Sequence, residues 1–137
     1  MDFTGKILSS DFVIIASPIY VHHVSGDTKV LLDRLGYWGH LMRLAGKGSM
    51  VLTTTMSNGH ETGINYLYKV LTSFGSKVIA KYNASTQYPD QLFNEQWMTA
   101  TTEILSSAIL DTLEKGITSD NNLELLFKSL KPLMIYY

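Results

Sequence analysis

Five consecutive apolar residues, Phe12-Val13-Ile14-Ile15-Ala16, constrain the fold of this chain more than any other feature. Three of them are β-branched, and no polar residue interrupts the run. Strands covered on both faces have this pattern, whereas strands with one face in water alternate apolar and polar residues. Asp11 precedes the run and Ser17-Pro18 follows it. The pattern therefore predicts a central strand of a parallel sheet.

Helical and extended patterns alternate after this strand. Ser25 has the residue type of a helix N-cap, and the helix that it begins is expected to end near Gly36. The later patterns predict a strand over 49–54, a helix over 64–74, a strand over 77–82, a long helix over 95–113 and a short one from Asn121. This order predicts an α/β fold with a parallel sheet and helices on both faces.

The composition narrows the class of protein. The 137 residues predict one domain, which can be incomplete, and hydrophobic residues make up 45% of them. Eleven basic residues are scattered among twelve acidic ones, so the basic surplus typical of nucleic-acid binding is missing. The absence of cysteine excludes thiolate metal sites and cysteine nucleophiles in this chain. The acidic start, Met1-Asp2, is unlike a signal peptide and predicts a cytoplasmic location.

A run of motifs after the first strand resembles a known family. Ser17-Pro18-Ile19-Tyr20, Ser25-Gly26-Asp27-Thr28-Lys29 and Asp33-Arg34 resemble the S-P-x-Y, S-G-x-x-K and D-R motifs of the flavodoxin-like NAD(P)H-dependent FMN reductases. That family includes the flavin domain of iron–sulfur flavoproteins. The agreement extends over roughly residues 7 to 82 and weakens over the final helices.

The resemblance implies a flavodoxin-like three-layer sandwich, FMN as cofactor and NAD(P)H as electron donor. It implies that the loops following two neighbouring strands enclose the flavin ring, since ligands of such sheets bind at the carboxyl ends of the strands. His22 and His23 are possible proton donors. The expected cofactor-binding residues are Ser17, Pro18, Ile19, Tyr20, Val24, Ser25, Thr54, Thr55, Met56, Ser57 and Gly59.

The chain departs from the family pattern at its start. It lacks the family's N-terminal strand, phosphate-binding loop, helix and second strand, so residues 1–137 read as one partial domain corresponding to family strands 3, 4 and 5. Residues 1–82 form the flavin-site half, and residues 83–137 supply a loop and helices. In this interpretation the Phe12–Ala16 strand is an edge, which an apolar strand does not leave uncovered. A second protein chain carrying the phosphate loop is expected to cover it, and a homodimer is the competing solution.

Other functions have weaker support. Adjacent histidines point to opposite sides of an extended segment, so His22 and His23 do not predict a metal site. The chain contains no G-x-S-x-G nucleophile motif for hydrolysis. Two alternatives to an oxidoreductase subunit stay open: a non-catalytic scaffold that has lost flavin, and a truncated form of an ordinary reductase. The apolar tail Leu133–Tyr137 is expected to dock on the protein's own core or on another subunit.

Overall fold

A computed structural model of the chain describes residues 2–86, 93–117, 124–125 and 128–129. Of the helix predicted from Asn121, only four residues are described, all helical, and the tail from Leu133 lies outside the described residues. None of the described helices is both long and apolar enough to cross a membrane. The elements are α1 (Phe3–Ser9), β1 (Phe12–Tyr20), β2 (His23–Val24), α2 (Gly26–Arg34), α3 (Trp38–Leu41), β3 (Gly48–Thr55), α4 (His60–Ser73), β4 (Lys77–Ser85) and α5 (Glu95–Lys115).

The described strands form one sheet in the order β2-β1-β3-β4. β1, β3 and β4 are parallel, with Phe12 opposite Gly48 and Pro18 opposite Thr54. β2 is antiparallel to β1 and pairs only with Ile19 and Tyr20. Within the described part of the chain, residues 12–18 of β1 therefore have a strand partner on one side only. Among the described strands β1 therefore lies at the edge, as expected for family strands 3, 4 and 5, and not in the central position that the apolar run alone predicts. Such a pattern reports what covers the two faces of a strand and does not count its neighbouring strands.

The main core lies between the sheet and the helices α2, α3 and α4. Trp38 is its largest buried residue, with 1% of its surface exposed, and its ring packs edge-on against Phe74 at 5.8 Å between centroids. The other members of the core cluster are Val24, Leu32, Leu35, Leu44, Val51, Leu67 and Leu71.

Helix α5 covers the opposite face of the sheet, which gives the predicted three layers. Its half-buried residues recur at helical spacing, and Met98, Leu105 and Ile109 border the sheet. No residue of α5 is fully buried, so this face is less tightly covered than the core face. The predicted helix is confirmed and extends two residues beyond its predicted end, with Asn94 as N-cap and Gly116 just after Lys115.

Candidate functional site

The site begins where β1 and β3 end side by side. Ser17 lies opposite Thr53, and Pro18 lies opposite Thr54, because the two strands are parallel and in register. A cavity of about 280 Å³ opens between them. Its lining combines apolar surface with hydroxyl groups and consists of Ala16, Ser17, Pro18, Leu52, Thr53 and Thr54. The structure therefore brings three predicted site residues, Ser17, Pro18 and Thr54, to one cavity.

Hydroxyl groups, of which that of Ser17 is on a buried residue, fix the loop that leaves β1. The Ser17 Oγ accepts a hydrogen bond from the Ser25 backbone N–H at 3.0 Å and one from the Thr28 hydroxyl at 3.2 Å. The Ser25 Oγ accepts from the Thr28 N–H at 3.3 Å, which makes Ser25 the predicted N-cap of α2. Both serines thus hold the loop and the helix together at the edge of the cavity.

The chain reverses between β1 and β2 in a two-residue turn of unusual backbone conformation. Val21 and His22 have φ angles of 49° and 65°, which L-residues rarely adopt. The turn leaves Tyr20 and His22 exposed and exposes 95% of Val21. On the inner side, the predicted site residues Ile19 and Val24 are buried: Val24 belongs to the core cluster, and the Ile19 side chain lies against Gly63 of α4, so both side chains serve packing.

The two histidines of the hairpin have different surroundings. The His23 ring packs against Tyr66 of α4, at 4.7 Å between centroids. His22 lies against Gly59, the residue that precedes α4: a Cβ atom built on Gly59 would stand 2.7 Å from both the Cα and the Nδ1 of His22. Gly59 also has a φ of +84°. The loop after β1 and the loop after β3 therefore touch at this glycine.

The loop after β3 carries the remaining predicted residues. Thr55 is buried, and its hydroxyl donates a hydrogen bond to the Asn58 carbonyl at 3.1 Å, which closes the loop on itself. Thr54, Met56 and Ser57 are exposed beside it. Thr54 and Met56 are thus accessible to a ligand, whereas Thr55 stabilises the conformation of the loop.

Two polar residues at this edge were not predicted. Asn83 on β4 accepts a hydrogen bond from the Thr53 hydroxyl through its Oδ1 at 2.8 Å, which adds a third strand to the edge. The strand was predicted to end at Tyr82, one residue before Asn83, so a slightly longer predicted strand would have included Asn83. His60, the first residue of α4, has a buried Nδ1 without a hydrogen-bond partner in the described parts of the chain. No sequence signal distinguishes it from an ordinary first-turn residue.

The site fits the ring of a flavin better than a whole nucleotide. Pockets for small ligands usually have about 300 to 1,000 Å³, and this cavity of about 280 Å³ lies just below that range. Apolar walls with a few hydroxyl groups suit an aromatic ring. None of the lining residues carries a charge for a phosphate. Among the described residues, no group of three or more potential metal ligands exists.

Comparison with known proteins assigns the family. Residues 1–90 match the NADPH-dependent FMN reductase family model. The chain is also 31% identical over 121 residues to an iron–sulfur flavoprotein of Archaeoglobus fulgidus, a match that covers 85% of this chain. The chain belongs to the NADPH-dependent FMN reductase family. The predicted family is thereby confirmed, and its description is that of FMN reductases that depend on NADPH.

Solved structures agree with the family assignment. The chain superimposes on the apo form of the NADH:FMN oxidoreductase EMOB with a TM-score of 0.56 at 25% identity, over 84% of this chain and 58% of that one. A flavodoxin, the WrbA-like protein of Agrobacterium tumefaciens, superimposes with a TM-score of 0.56 at 14% identity. That match covers 77% of this chain and 70% of the flavodoxin. The predicted flavodoxin-like α/β fold is confirmed. The chain spans just over half of the archaeal flavoprotein, 54% of its length.

Proposed function

We propose that this chain is one part of an FMN-dependent NAD(P)H oxidoreductase and holds the flavin ring at the carboxyl ends of β1 and β3. One observation carries the proposal: the uncharged cavity between Pro18 and Thr54 lies at that edge, in a chain of this family. Bound FMN supplies the redox chemistry, since it accepts a hydride from reduced nicotinamide and passes electrons to a small acceptor. A cytoplasmic location remains a prediction from the sequence.

The residues of this chain would orient the ring and exclude water from it. Tyr20, the last residue of β1, and Met56, in the loop after β3, are exposed and provide aromatic and thioether surface for a ring. The Thr54 hydroxyl is available for a hydrogen bond, while Ser17 and Ser25 keep the loop in place. Of the two candidate proton donors we favour His22, because the His23 ring is packed on Tyr66.

A non-catalytic scaffold is the alternative function. The observation that favours it is the lining of the cavity, which holds no charged side chain for the FMN phosphate. The two functions differ in one property. An oxidoreductase subunit binds a flavin ring at this cavity, whereas a scaffold does not.

Titration with riboflavin tests the proposal on this chain alone, because riboflavin carries the ring without the phosphate. Quenching of riboflavin fluorescence should report binding. Thr54→Arg, which places a long cation at the cavity, should weaken it by about tenfold or more. Thr99→Arg, at an exposed position of α5, is the matched control and should leave the affinity unchanged. Unquenched riboflavin, or equal binding by both variants, would contradict a ring site here.

A further inference from the structure

The loop after β3 contains a pair of residues that can react with each other. Asn58 is followed by Gly59, and it is the only one of the six asparagines in the sequence that precedes a glycine. The backbone nitrogen of the residue after an asparagine can attack the side-chain amide, and glycine hinders this attack least because it has no Cβ. Asparagine is one of the thermolabile residues of proteins. The sequence of this loop therefore favours spontaneous deamidation.

The structure leaves both reacting groups accessible. Asn58 is exposed, and its side chain has no hydrogen-bond partner among the described residues. The backbone N–H of Gly59 likewise donates no hydrogen bond to any residue that the structure describes. Gly59 is the N-cap of α4, and the N–H of an N-cap residue lies outside the hydrogen-bond pattern of the helix. Within the described chain, neither group has to break a hydrogen bond before it reacts.

The three other asparagines in the described part of the chain are more constrained than Asn58. Asn94 is exposed, but its side chain caps α5 by accepting a hydrogen bond from the Trp97 N–H at 2.9 Å. Asn83 lies in β4, where its side chain accepts a hydrogen bond from a neighbouring strand. Asn65 lies within α4, whose hydrogen bonds hold the backbone. The reactive dipeptide thus coincides with the least constrained of these four side chains.

We propose that Asn58 is a site of spontaneous deamidation, and that the isoaspartate formed there displaces the loop from the β1–β2 hairpin. In the first step, the Gly59 nitrogen forms a bond to the Asn58 Cγ, the Cγ–Nδ2 bond breaks, and ammonia leaves with the proton of the Gly59 N–H. The product is a cyclic succinimide. Water then opens this ring at one of its two carbonyl carbons, which gives aspartate or isoaspartate. No atom is oxidised or reduced, so the reaction needs only water.

Isoaspartate changes the course of the main chain at a crowded position. The chain to Gly59 then runs through the former side chain, which lengthens the backbone by one carbon atom. The former main-chain carbonyl of Asn58, which accepts the Thr55 hydroxyl at 3.1 Å, becomes part of a free carboxylate. Gly59 lies so close to His22 that an added Cβ would stand 2.7 Å from it. A backbone lengthened between these two contacts moves Gly59 away from its position against His22.

Ageing of the purified full chain in mildly alkaline buffer tests the modification site. Peptide mass spectrometry with electron-transfer fragmentation follows each asparagine and distinguishes isoaspartate from aspartate. Conversion at Asn58 should be at least about tenfold faster than at the exposed Asn94, which is the internal control. It should also stay within about tenfold of the rate in the guanidinium-unfolded chain, because the native loop leaves the reacting groups free. Equal rates at Asn58 and Asn94, or reaction in the unfolded chain only, would overturn this site.

The NMR signals of the His22 ring test the displacement of the loop. They should shift as isoaspartate accumulates in the wild-type chain, because the ring lies against Gly59. Asn58→Gln is the matched control variant: its longer side chain would have to close a larger ring, so its His22 signals should stay constant over the same time. Isoaspartate at position 58 with unchanged His22 signals would overturn the displacement. None of these measurements involves flavin, so their outcome is independent of the proposed function.

Discussion

At the scale of single residues, one contact ties the two loops of the candidate site together. Gly59 and His22 come from loops that follow different strands, and they touch because Gly59 lacks a side chain. The backbone of His22 is itself in the left-handed region, which other parts of a structure must stabilise. The spacing between the loops, and so the width of a ring site, depends on this contact.

Gly59→Ala should therefore destabilise the protein by more than the backbone conformation alone explains. Gly46 has the same φ of +84°, but a Cβ there meets nothing within 4 Å, so Gly46→Ala measures the cost of the left-handed conformation. That cost is about 1 to 2 kcal/mol. The clash with His22 should add about 1 to 3 kcal/mol to Gly59→Ala. Urea unfolding of both variants measures the difference, and equal free energies of unfolding would show that the loops do not press on each other.

Asp2 provides a prediction about pH. The Gly5 backbone N–H and the Thr4 hydroxyl donate hydrogen bonds to its carboxylate, and they hold its pKa below its ordinary value of 3.8. Because folding lowers this pKa, the cap of α1 is intact above about pH 4 and weakens as the pH falls through the lowered value. An NMR titration of Asp2 should give a midpoint below 3.8. In Thr4→Ala the midpoint should rise, and an unchanged midpoint would remove the hydroxyl as a cause.

At the scale of elements, the start of α2 depends on Ser17, which lies on another element. Ser17→Ala would leave the Ser25 N–H and the Thr28 hydroxyl without this acceptor. The loss of a buried acceptor costs about 1 to 3 kcal/mol. Ser57→Ala, at an exposed position of the other loop, should change the free energy of unfolding by less than about 0.5 kcal/mol. Thermal or urea unfolding measures the free energy of unfolding of each variant. Similar free energies for the two variants would show that the hydroxyl network adds no stability.

Elements with strong local signals could be predicted, and short elements fixed by distant contacts could not. Ser25 and Gly116 mark helix ends by their own chemistry, so α2 and α5 were found close to their observed bounds. The hairpin turn at Val21-His22 contains no glycine or asparagine, the usual signals of such turns. Its conformation depends on the contact with Gly59, which lies 37 residues from His22 along the chain.

The candidate site shows the same limit. Ser17, Pro18 and Thr54 could be predicted, because they follow strands whose carboxyl ends meet at one edge. Ile19 and Val24 were also predicted as site residues, but both are buried, and they pair with each other across the β1–β2 hairpin. Asn83 was missed because β4 continues beyond its apolar stretch, held by pairing with β3. Tertiary contacts, and not local pattern, decided these positions.

At the scale of the whole molecule, the uncharged cavity predicts how the chain distinguishes two flavins. Because none of the residues that line the cavity carries a charge for a phosphate, the chain should bind FMN and riboflavin with affinities within about threefold of each other. Fluorescence titration measures both ligands. A strong preference for FMN in the chain alone would show that its own residues hold the phosphate.

The central claim is the proposal that this chain holds the flavin of an FMN-dependent NAD(P)H oxidoreductase at the carboxyl ends of β1 and β3. Its most direct test is the flavin absorbance across the size-exclusion peak of the chain mixed with FMN, before and after adding NADPH or NADH under anaerobic conditions. We expect flavin to elute with the chain and its absorbance to bleach with reduced nicotinamide. Protein that elutes without flavin, or whose flavin is not reduced, would contradict the claim.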